Sequence, residues 1–327
     1  MVREQLKNQK KYKPYFIYTI SILQVIVFIA SLVMNYTSNG RIFEPLNENI
    51  SIGPSTGTLI KIGARYVPCM KKIKFNNECP PGVTGSLPFQ QIPGYQLSDK
   101  GGTLLKSPFY CTMKDICGFG GLFANDKSAK QWFRFVTAIF SHSGIAHIAI
   151  NLIFQVRAGM SLEKDYGHWR IMVIYFLSGI FGYMLEAQSS AGVAVVGCSG
   201  SLYGLIACIL LDLIQNWKLI VSPWKDLAVL VFSIVFSLGF GLLPFIDNFA
   251  HIGGFIMGIL SGLIFLPSII FNNKDEKIKS TLRIVSIFLA TFIFVIVIKR
   301  FYSSSAQCKW CKYLNCAPFL STTCNFQ

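Results

Sequence analysis

The sequence predicts an all-α polytopic membrane protein. Hydrophobic residues make up 52% of the 327 residues and charged residues only 14%, whereas soluble domains carry about 25% charged residues. The mean hydropathy is +0.49. Several apolar windows also reach the roughly 20 residues that a helix needs to cross a bilayer. Together these observations favour a chain that crosses the membrane repeatedly.

Seven apolar runs are predicted to be transmembrane helices. The first run is too long for the apolar region of a secretory signal and lacks a clear cleavage site, so we expect an uncleaved helix. The predicted spans are 14–36, 135–156, 169–187, 199–215, 226–243, 249–271 and 281–300.

The positions of basic residues predict the orientation of these spans. Lys and Arg concentrate in the head 1–13 and in alternate short loops, whereas the loop 188–198 has no charge. Because short cytosolic loops are enriched in Lys and Arg, we expect the head to be cytosolic. The long loop 37–134 and the tail 301–327 then lie on the luminal or extracellular side. Lys299 and Arg300, at the outer end of span seven, run against this rule.

The formal net charge of +15 is explained by membrane topology. In a soluble protein such a charge would suggest nucleic-acid binding. Here the basic residues flank apolar runs, and no nucleic-acid-binding motif occurs. We therefore expect membrane lipids, and no nucleic acid, as partners.

The cysteines fit the same topology. Cys198 and Cys208 lie in span four, and the other eight fall on the predicted outer side, where disulfides are permitted. We expect these eight to be oxidised, with the pairing left open. The spacing Cys308-x-x-Cys311 also fits a zinc site, which is the rival interpretation. The outer cysteines are Cys69, Cys79, Cys111, Cys117, Cys308, Cys311, Cys316 and Cys324.

The long loop 37–134 shows no sustained helical period and is rich in Gly and Pro, so we expect a loop-rich cap held by disulfides. Asn49-Ile50-Ser51 matches a glycosylation acceptor on the translocated side.

Polar residues inside the predicted spans are the candidate functional residues, since they are costly in lipid. Span two contains His142, His147 and Asn151, and the last two share one helix face because they are four residues apart. Span four opens with Ser199 and span six with His251. Taken singly, the His and Asn residues could make inter-helix hydrogen bonds, and Ser199 could serve helix packing.

Ser199 and His251 gain weight as a pair. Spans four and six have the same predicted direction, and each residue lies a few positions from the outer start of its span. Gly200 and Gly204 recur every four residues on span four, and Gly254, Gly258 and Gly262 do so on span six. Such stripes of small residues let helices approach closely. We therefore expect the two side chains to meet.

This combination has the chemistry of a serine hydrolase. A serine hydroxyl becomes a strong nucleophile when a neighbouring base takes its proton, and a neutral histidine is suited to that role. The resulting oxyanion needs hydrogen-bond donors. His147, Asn151 and the backbone N–H of Ser199 are the candidate donors. No metal or other cofactor is required, and we expect none.

Several spaced motifs resemble those of the rhomboid family of intramembrane proteases, over about residues 131–266. The family's G-x-S-G motif matches 197–200, and its A-H-x-x-G-x-x-x-G motif matches 250–258. The second-helix pattern H-x4-H-x3-N matches His142, His147 and Asn151. The remaining matches are Glu163 and Gly167, Trp132-Phe133-Arg134, and Tyr203.

The resemblance implies a six-helix core, with spans two to six at 135–271, followed by a loop and a seventh helix at 272–300. That arrangement resembles the eukaryotic secretory-pathway subgroup. It implies a catalytic dyad of Ser199 and His251 without a carboxylate, so Asp247 or Asn248 is expected to cap span six. It also implies that Tyr203 packs on His251, and that Gly197, Gly200 and His142 support the site.

The implied activity is the cleavage of single-span membrane proteins within their transmembrane segments. The first alternative is a catalytically silent rhomboid-like adaptor that controls the traffic of membrane proteins; the intact dyad disfavours it. The second is a transporter, which is disfavoured because no internal repeat is evident.

Overall fold

The computed structural model describes residues 2–7, 10–72, 83, 111–125, 127–189, 192–240 and 248–303. Within these ranges the secondary structure is helical, and β pairing is confined to two isolated bridges. The helices are α1 Val2–Lys7, α2 Tyr15–Asn39, α3 Thr56–Ile62, α4 Met113–Cys117, α5 Arg134–Thr137, α6 Ile145–Phe154, α7 Met160–Tyr166, α8 His168–Glu186, α9 Ser199–Gln215, α10 Pro223–Phe240, α11 Asn248–Phe265 and α12 Asn273–Ser303.

The predicted all-α membrane architecture is confirmed, and the chain is a multi-pass integral membrane protein. Five helical segments in the described ranges are long and apolar enough to cross a membrane. The helices α9 and α10 fall outside that set, so the total of seven spans stays a prediction. The five segments are Tyr15–Asn39, Ile145–Tyr166, His168–Glu186, Asn248–Phe265 and Asn273–Ser303.

The second span differs from the prediction. We expected a helix over 135–156, but the membrane helix runs from Ile145 to Tyr166 through a π-helical turn at Gln155–Gly159. Residues 134–137 form the separate short helix α5. At the break, a Cβ on Gly144 would lie 2.1 Å from the carbonyl oxygen of Ser51. The backbone of the long loop therefore occupies space that a helix continuing through Gly144 would need. His142 therefore lies in the turn before the membrane helix.

Buried polar side chains attach α2 to the rest of the bundle. Both oxygens of Glu163 accept hydrogen bonds of 2.8 Å from the first backbone N–H groups of α2, at Phe16 and Ile17. These N–H groups have no partner within the helix, and a carboxylate also suits the positive end of the helix dipole. Farther along α2, Gln24 accepts a 2.9 Å hydrogen bond from Gln155 and donates one of 2.9 Å to Tyr175. The first span is thereby fixed in depth and rotation.

Arg134 organises the folded part of the long loop, which we call the cap (residues 40–72 and 111–133). Its buried guanidinium donates to the carbonyl oxygens of Ile60 at 2.8 Å and Ala64 at 2.7 Å, and also to that of Cys117. Burial lowers the pKa of Arg134 to about 9, which still leaves it charged at neutral pH. One side chain thus joins two backbone segments of the cap, at 60–64 and at Cys117.

Disulfides and hydrogen bonds from the side-chain amide of Asn49 also stabilise the cap. Cys69 and Cys117 are bonded, Cys111 is also in a disulfide, and Cys198 and Cys208 are free thiols. Cys79 and the four tail cysteines lie outside the described residues. The amide nitrogen of Asn49 donates to the carbonyl oxygens of Pro54 and Ser143, at 2.9 and 2.8 Å. A glycan on that nitrogen would leave only one N–H, so a glycosylated Asn49 could keep only one of these two hydrogen bonds.

The helix α12 is held near its C-terminal end by the cap. Lys71 donates to the carbonyl oxygen of Phe301, and its ammonium lies 4.7 Å from the centroid of that ring. The same ring packs edge-on against Phe135 at 5.2 Å. The remainder of α12 packs on α11 and α8. The helix α12, predicted as the seventh span, is therefore part of the folded unit.

The disulfide pattern gives a direct test of the fold. Alkylation of denatured, unreduced protein should modify Cys198 and Cys208, whereas Cys69, Cys111 and Cys117 should react only after reduction; peptide mass mapping measures this. Since Cys69 and Cys117 are 48 residues apart, Cys69→Ser should destabilise the cap by about 2–4 kcal/mol. Free Cys69 in the unreduced wild-type protein would contradict the fold.

Candidate active site

The site is built on a close approach of α9 and α11. A Cβ on Gly254 would lie 2.0 Å from the carbonyl oxygen of Gly200, and one on Gly258 would lie 2.5 Å from the Cα of Gly204. The second contact lies four residues beyond the first on both helices, so the two helices run parallel. The pairing of the small-residue stripes expected from the sequence is therefore present, and it leaves no room for a Cβ at Gly254 or Gly258.

This approach brings Ser199 and His251 together. Ser199 is the first residue of α9 and His251 the fourth of α11. Ser199 Oγ lies 2.9 Å from His251 Nε2. The ring of Tyr203 stacks on His251 at 4.5 Å between centroids and 11° between planes, which fixes the imidazole plane. The structure thus brings these three predicted residues into one contact chain.

The turn before Ser199 is held by hydrogen bonds from neighbouring elements. Gly197 has a φ of +120°, which favours glycine. Its N–H donates to the carbonyl oxygen of Ala138 at 3.0 Å, and its own carbonyl accepts from the Tyr183 hydroxyl. The first N–H groups of α9 are consequently presented in a fixed direction. Tyr183 was missed from the sequence because a buried tyrosine in a span carries no distinctive signal.

His147 and Asn151 lie beside this turn. A Cβ on Gly197 would fall 2.9 Å from His147 Nε2 and 3.6 Å from Asn151 Nδ2, so both side chains pack directly over Gly197. Asn151 is 6% exposed, and within the described residues its Nδ2 has no hydrogen-bond partner. A buried donor is normally paired. The amide is therefore a candidate donor to a bound oxygen atom.

The turn at 141–144 orients His147. Ser143 Oγ lies 2.9 Å from His147 Nδ1. When that hydroxyl donates to Nδ1, the single N–H of a neutral imidazole is on Nε2, the nitrogen near Gly197. His142 packs edge-on against His147 at 5.3 Å and lies 3.6 Å from the sulfur of Cys198. His142 thus supports the site through its contacts with His147 and Cys198. Ser143 is a site residue that the sequence analysis missed.

Among the residues described, no hydrogen bond from another side chain reaches His251 Nδ1. Asp247, expected to be a helix cap, lies outside the described residues. The roles of the individual site residues accordingly stay expectations.

Comparisons with known proteins agree with the motifs. Residues 129–268 match the family model described as Rhomboid domain. The chain is 36% identical over 289 residues to Rhomboid-type serine protease 2 of Emericella nidulans, a match covering 82% of this chain and 54% of that protein. It is also 38% identical over 220 residues to Inactive rhomboid protein 1 of Danio rerio, covering 67% of this chain and 25% of that protein.

The corresponding human protein, Inactive rhomboid protein 1 of Homo sapiens, is 37% identical over 222 residues, or 67% of this chain and 26% of that protein. The chain therefore spans about half the length of the fungal relative and about a quarter of the other two. Because these relatives include both a protease and inactive proteins, similarity alone does not decide the activity.

The helix contact can be tested with a single methyl group. Gly254→Ala places a Cβ against the backbone of Gly200, which cannot yield without separating α9 and α11. The free energy of unfolding should therefore fall by an amount typical of overpacking, about 1–3 kcal/mol, and the thermal midpoint should fall with it. Gly239→Ala on α10 is the matched control, because its Cβ would meet nothing within 4 Å. Equal thermal midpoints for the two variants would contradict the close contact.

Proposed function

The chain belongs to the rhomboid family, and on that premise we propose that it is an intramembrane serine endopeptidase. The observation that carries the proposal is the 2.9 Å contact between Ser199 Oγ and His251 Nε2 at the start of two parallel helices. An inactive member has no need to keep a nucleophile and a base in hydrogen-bond contact.

The proposed reaction is a two-step acyl transfer. Ser199 Oγ attacks the carbonyl carbon of the scissile peptide bond while His251 Nε2 takes the hydroxyl proton. The tetrahedral intermediate collapses as the C–N bond breaks, and the same proton passes from His251 to the leaving amine. Water then attacks the acyl-enzyme ester, giving its proton to His251. The carboxylic acid product leaves as Ser199 recovers a proton from His251.

The negative charge on the carbonyl oxygen is stabilised in this proposal by three donors. The backbone N–H of Ser199 belongs to the unpaired first turn of α9. The amide of Asn151 and the Nε2–H of His147 lie over Gly197, next to that turn. Donors that are already oriented stabilise a developing charge without having to reorganise during the reaction.

The proposed substrates are single-span membrane proteins, cut near the outer end of their helix. Ser199 is the first residue of its helix, so a substrate helix must unwind locally to present an extended peptide bond to it. The helix α10 follows α9 in the chain and contributes no buried side chain over 223–239. A loosely packed neighbour of α9 suits lateral entry from lipid. We place the protein in the eukaryotic secretory pathway or plasma membrane.

A second candidate is a catalytically silent adaptor that binds membrane proteins. The similarity to inactive rhomboid proteins favours it. The contact between Ser199 and His251 supports the protease instead. Covalent labelling by a fluorophosphonate separates the two, because the adaptor has no activated serine.

Ser199→Ala and His251→Ala should each abolish cleavage of a single-span reporter, and the double variant should be no worse than either single one, since the two groups act as a unit. A fluorophosphonate should attach to Ser199 in the wild type, and chelators should leave cleavage intact. Circular dichroism controls for folding. Cleavage near the wild-type rate in Ser199→Ala would refute the protease.

Asn151→Ala should lower kcat while leaving KM nearly unchanged, because the amide is expected to bind the oxyanion more strongly than the ground-state carbonyl. Loss of one such donor costs about 10²–10³ in kcat, and the effect should be at the smaller end because two donors remain. Steady-state kinetics on a reporter peptide measure it. A raised KM at constant kcat would instead assign Asn151 to substrate binding.

A further inference from the structure

Arg65 in the cap is paired with the segment that leads to Ser199. We call residues 187–198, which join α8 to α9, the serine loop; 190 and 191 in it lie outside the described residues. The N–H of Arg65 donates to the carbonyl oxygen of Val195, and the N–H of Val195 donates to that of Arg65, both at 2.9 Å. This antiparallel bridge ends four residues before Ser199. The cap therefore holds the last part of the serine loop.

The side chain of the same residue reaches the other end of the serine loop. The Arg65 guanidinium forms an ion pair with the carboxylate of Glu186, and both side chains are 0% exposed. Glu186 is the last residue of α8, so it directly precedes the serine loop. One residue of the cap thus contacts both ends of the connection that carries the nucleophile.

Stability alone does not account for this pair. Desolvation of two charges offsets much of their attraction, and apolar side chains of similar volume often give equal or greater stability. A carboxylate is also unfavourable at the negative end of a helix. A buried pair does, however, restrict geometry: one guanidinium N–H of Arg65 donates to one carboxylate oxygen of Glu186, and such a charge-assisted hydrogen bond is strong only over a narrow range of positions.

Further contacts hold the residues that lie between the Arg65 bridge and Ser199. Val196, next to the bridge, packs with Leu59 and Ala64 of the cap. One residue farther, Gly197 is held through the Ala138 and Tyr183 contacts described above, and Ser199 follows. The serine loop consequently has few ways to shift without breaking its bonds to Arg65.

We infer that Arg65 and Glu186 are positioning residues for Ser199: the cap fixes the serine loop through them, so that Ser199 Oγ stays within reach of His251. This inference rests on the proposed protease function. Neither residue touches the reacting atoms. Their effect should appear in the chemical step, because a misplacement of about 1 Å can lower a rate by about 10²-fold.

The test compares four variants of the full chain: Arg65→Met, Arg65→Lys, Glu186→Met and the double variant Arg65→Met/Glu186→Met. Each single Met variant removes one member of the buried ion pair and keeps the other charge, so it should lose both thermal stability and activity. The double variant removes both charges, so its thermal midpoint should recover to near wild type. Its kcat and kcat/KM should nevertheless stay about 10–100-fold low with KM unchanged. Arg65→Lys keeps the charge and should retain more activity than Arg65→Met.

Two further readouts separate positioning from general folding. Fluorophosphonate labelling of Ser199 should slow in parallel with kcat, and hydrogen exchange at residues 192–198 should accelerate in the double variant. Lys11→Ala is the control, because it removes an ion pair that is exposed: the side chain of Lys11 is 69% exposed and that of Asp165 is 34% exposed. This variant should change neither readout.

The outcomes are distinguishable. A double variant with wild-type kcat and labelling rate would overturn the positioning role while leaving the protease intact. Absence of labelling at Ser199 in the wild type would overturn the protease itself, and the positioning role with it. A recovered thermal midpoint combined with a low kcat would support the inference.

Discussion

Ser199 and His251 meet because the backbones of α9 and α11 come closer than helices with larger side chains at the contact could. Lipid tails solvate apolar side chains as well as a helix neighbour does, so packing of small surfaces is a main force between membrane helices. The contacts of Gly200 with Gly254 and of Gly204 with Gly258 supply that packing. The 2.9 Å contact between Ser199 and His251 depends on this close approach, because both residues lie within one turn of a contacting glycine.

The cap adds a second constraint from outside the bundle. Arg134 joins two segments of the cap through three of their carbonyl groups, and Arg65 joins the cap to the serine loop. The cap also interrupts the second span, because its backbone lies against Gly144. The position of Ser199 and the turn that orients His147 are therefore both set by contacts with a part of the chain outside the membrane helices.

Polar groups in this protein are concentrated where they perform a defined task. Glu163 satisfies the free N–H groups at the start of α2, and the bonds among Gln24, Gln155 and Tyr175 fix that helix against its neighbours. Each of these groups is paired within the bundle, as expected where water cannot compensate a missing partner. Asn151 contrasts with them, since within the described residues its buried amide nitrogen has no partner, which suits a group that binds substrate.

The sequence by itself determined the membrane class, the helical fold and the set of candidate residues, because apolar run length, polar residues in lipid and glycine spacing are local signals. It could not place the start of the second membrane helix, because hydropathy joins two apolar runs that the cap separates at Gly144. No local signal singles out Glu186 at the end of its span, whereas its carboxylate is fully buried against Arg65, 121 positions earlier. The contacts of Tyr183 and Ser143 with the site likewise could not be predicted from the sequence. Tertiary structure decided these points, since each depends on contacts between segments whose proximity no local pattern encodes.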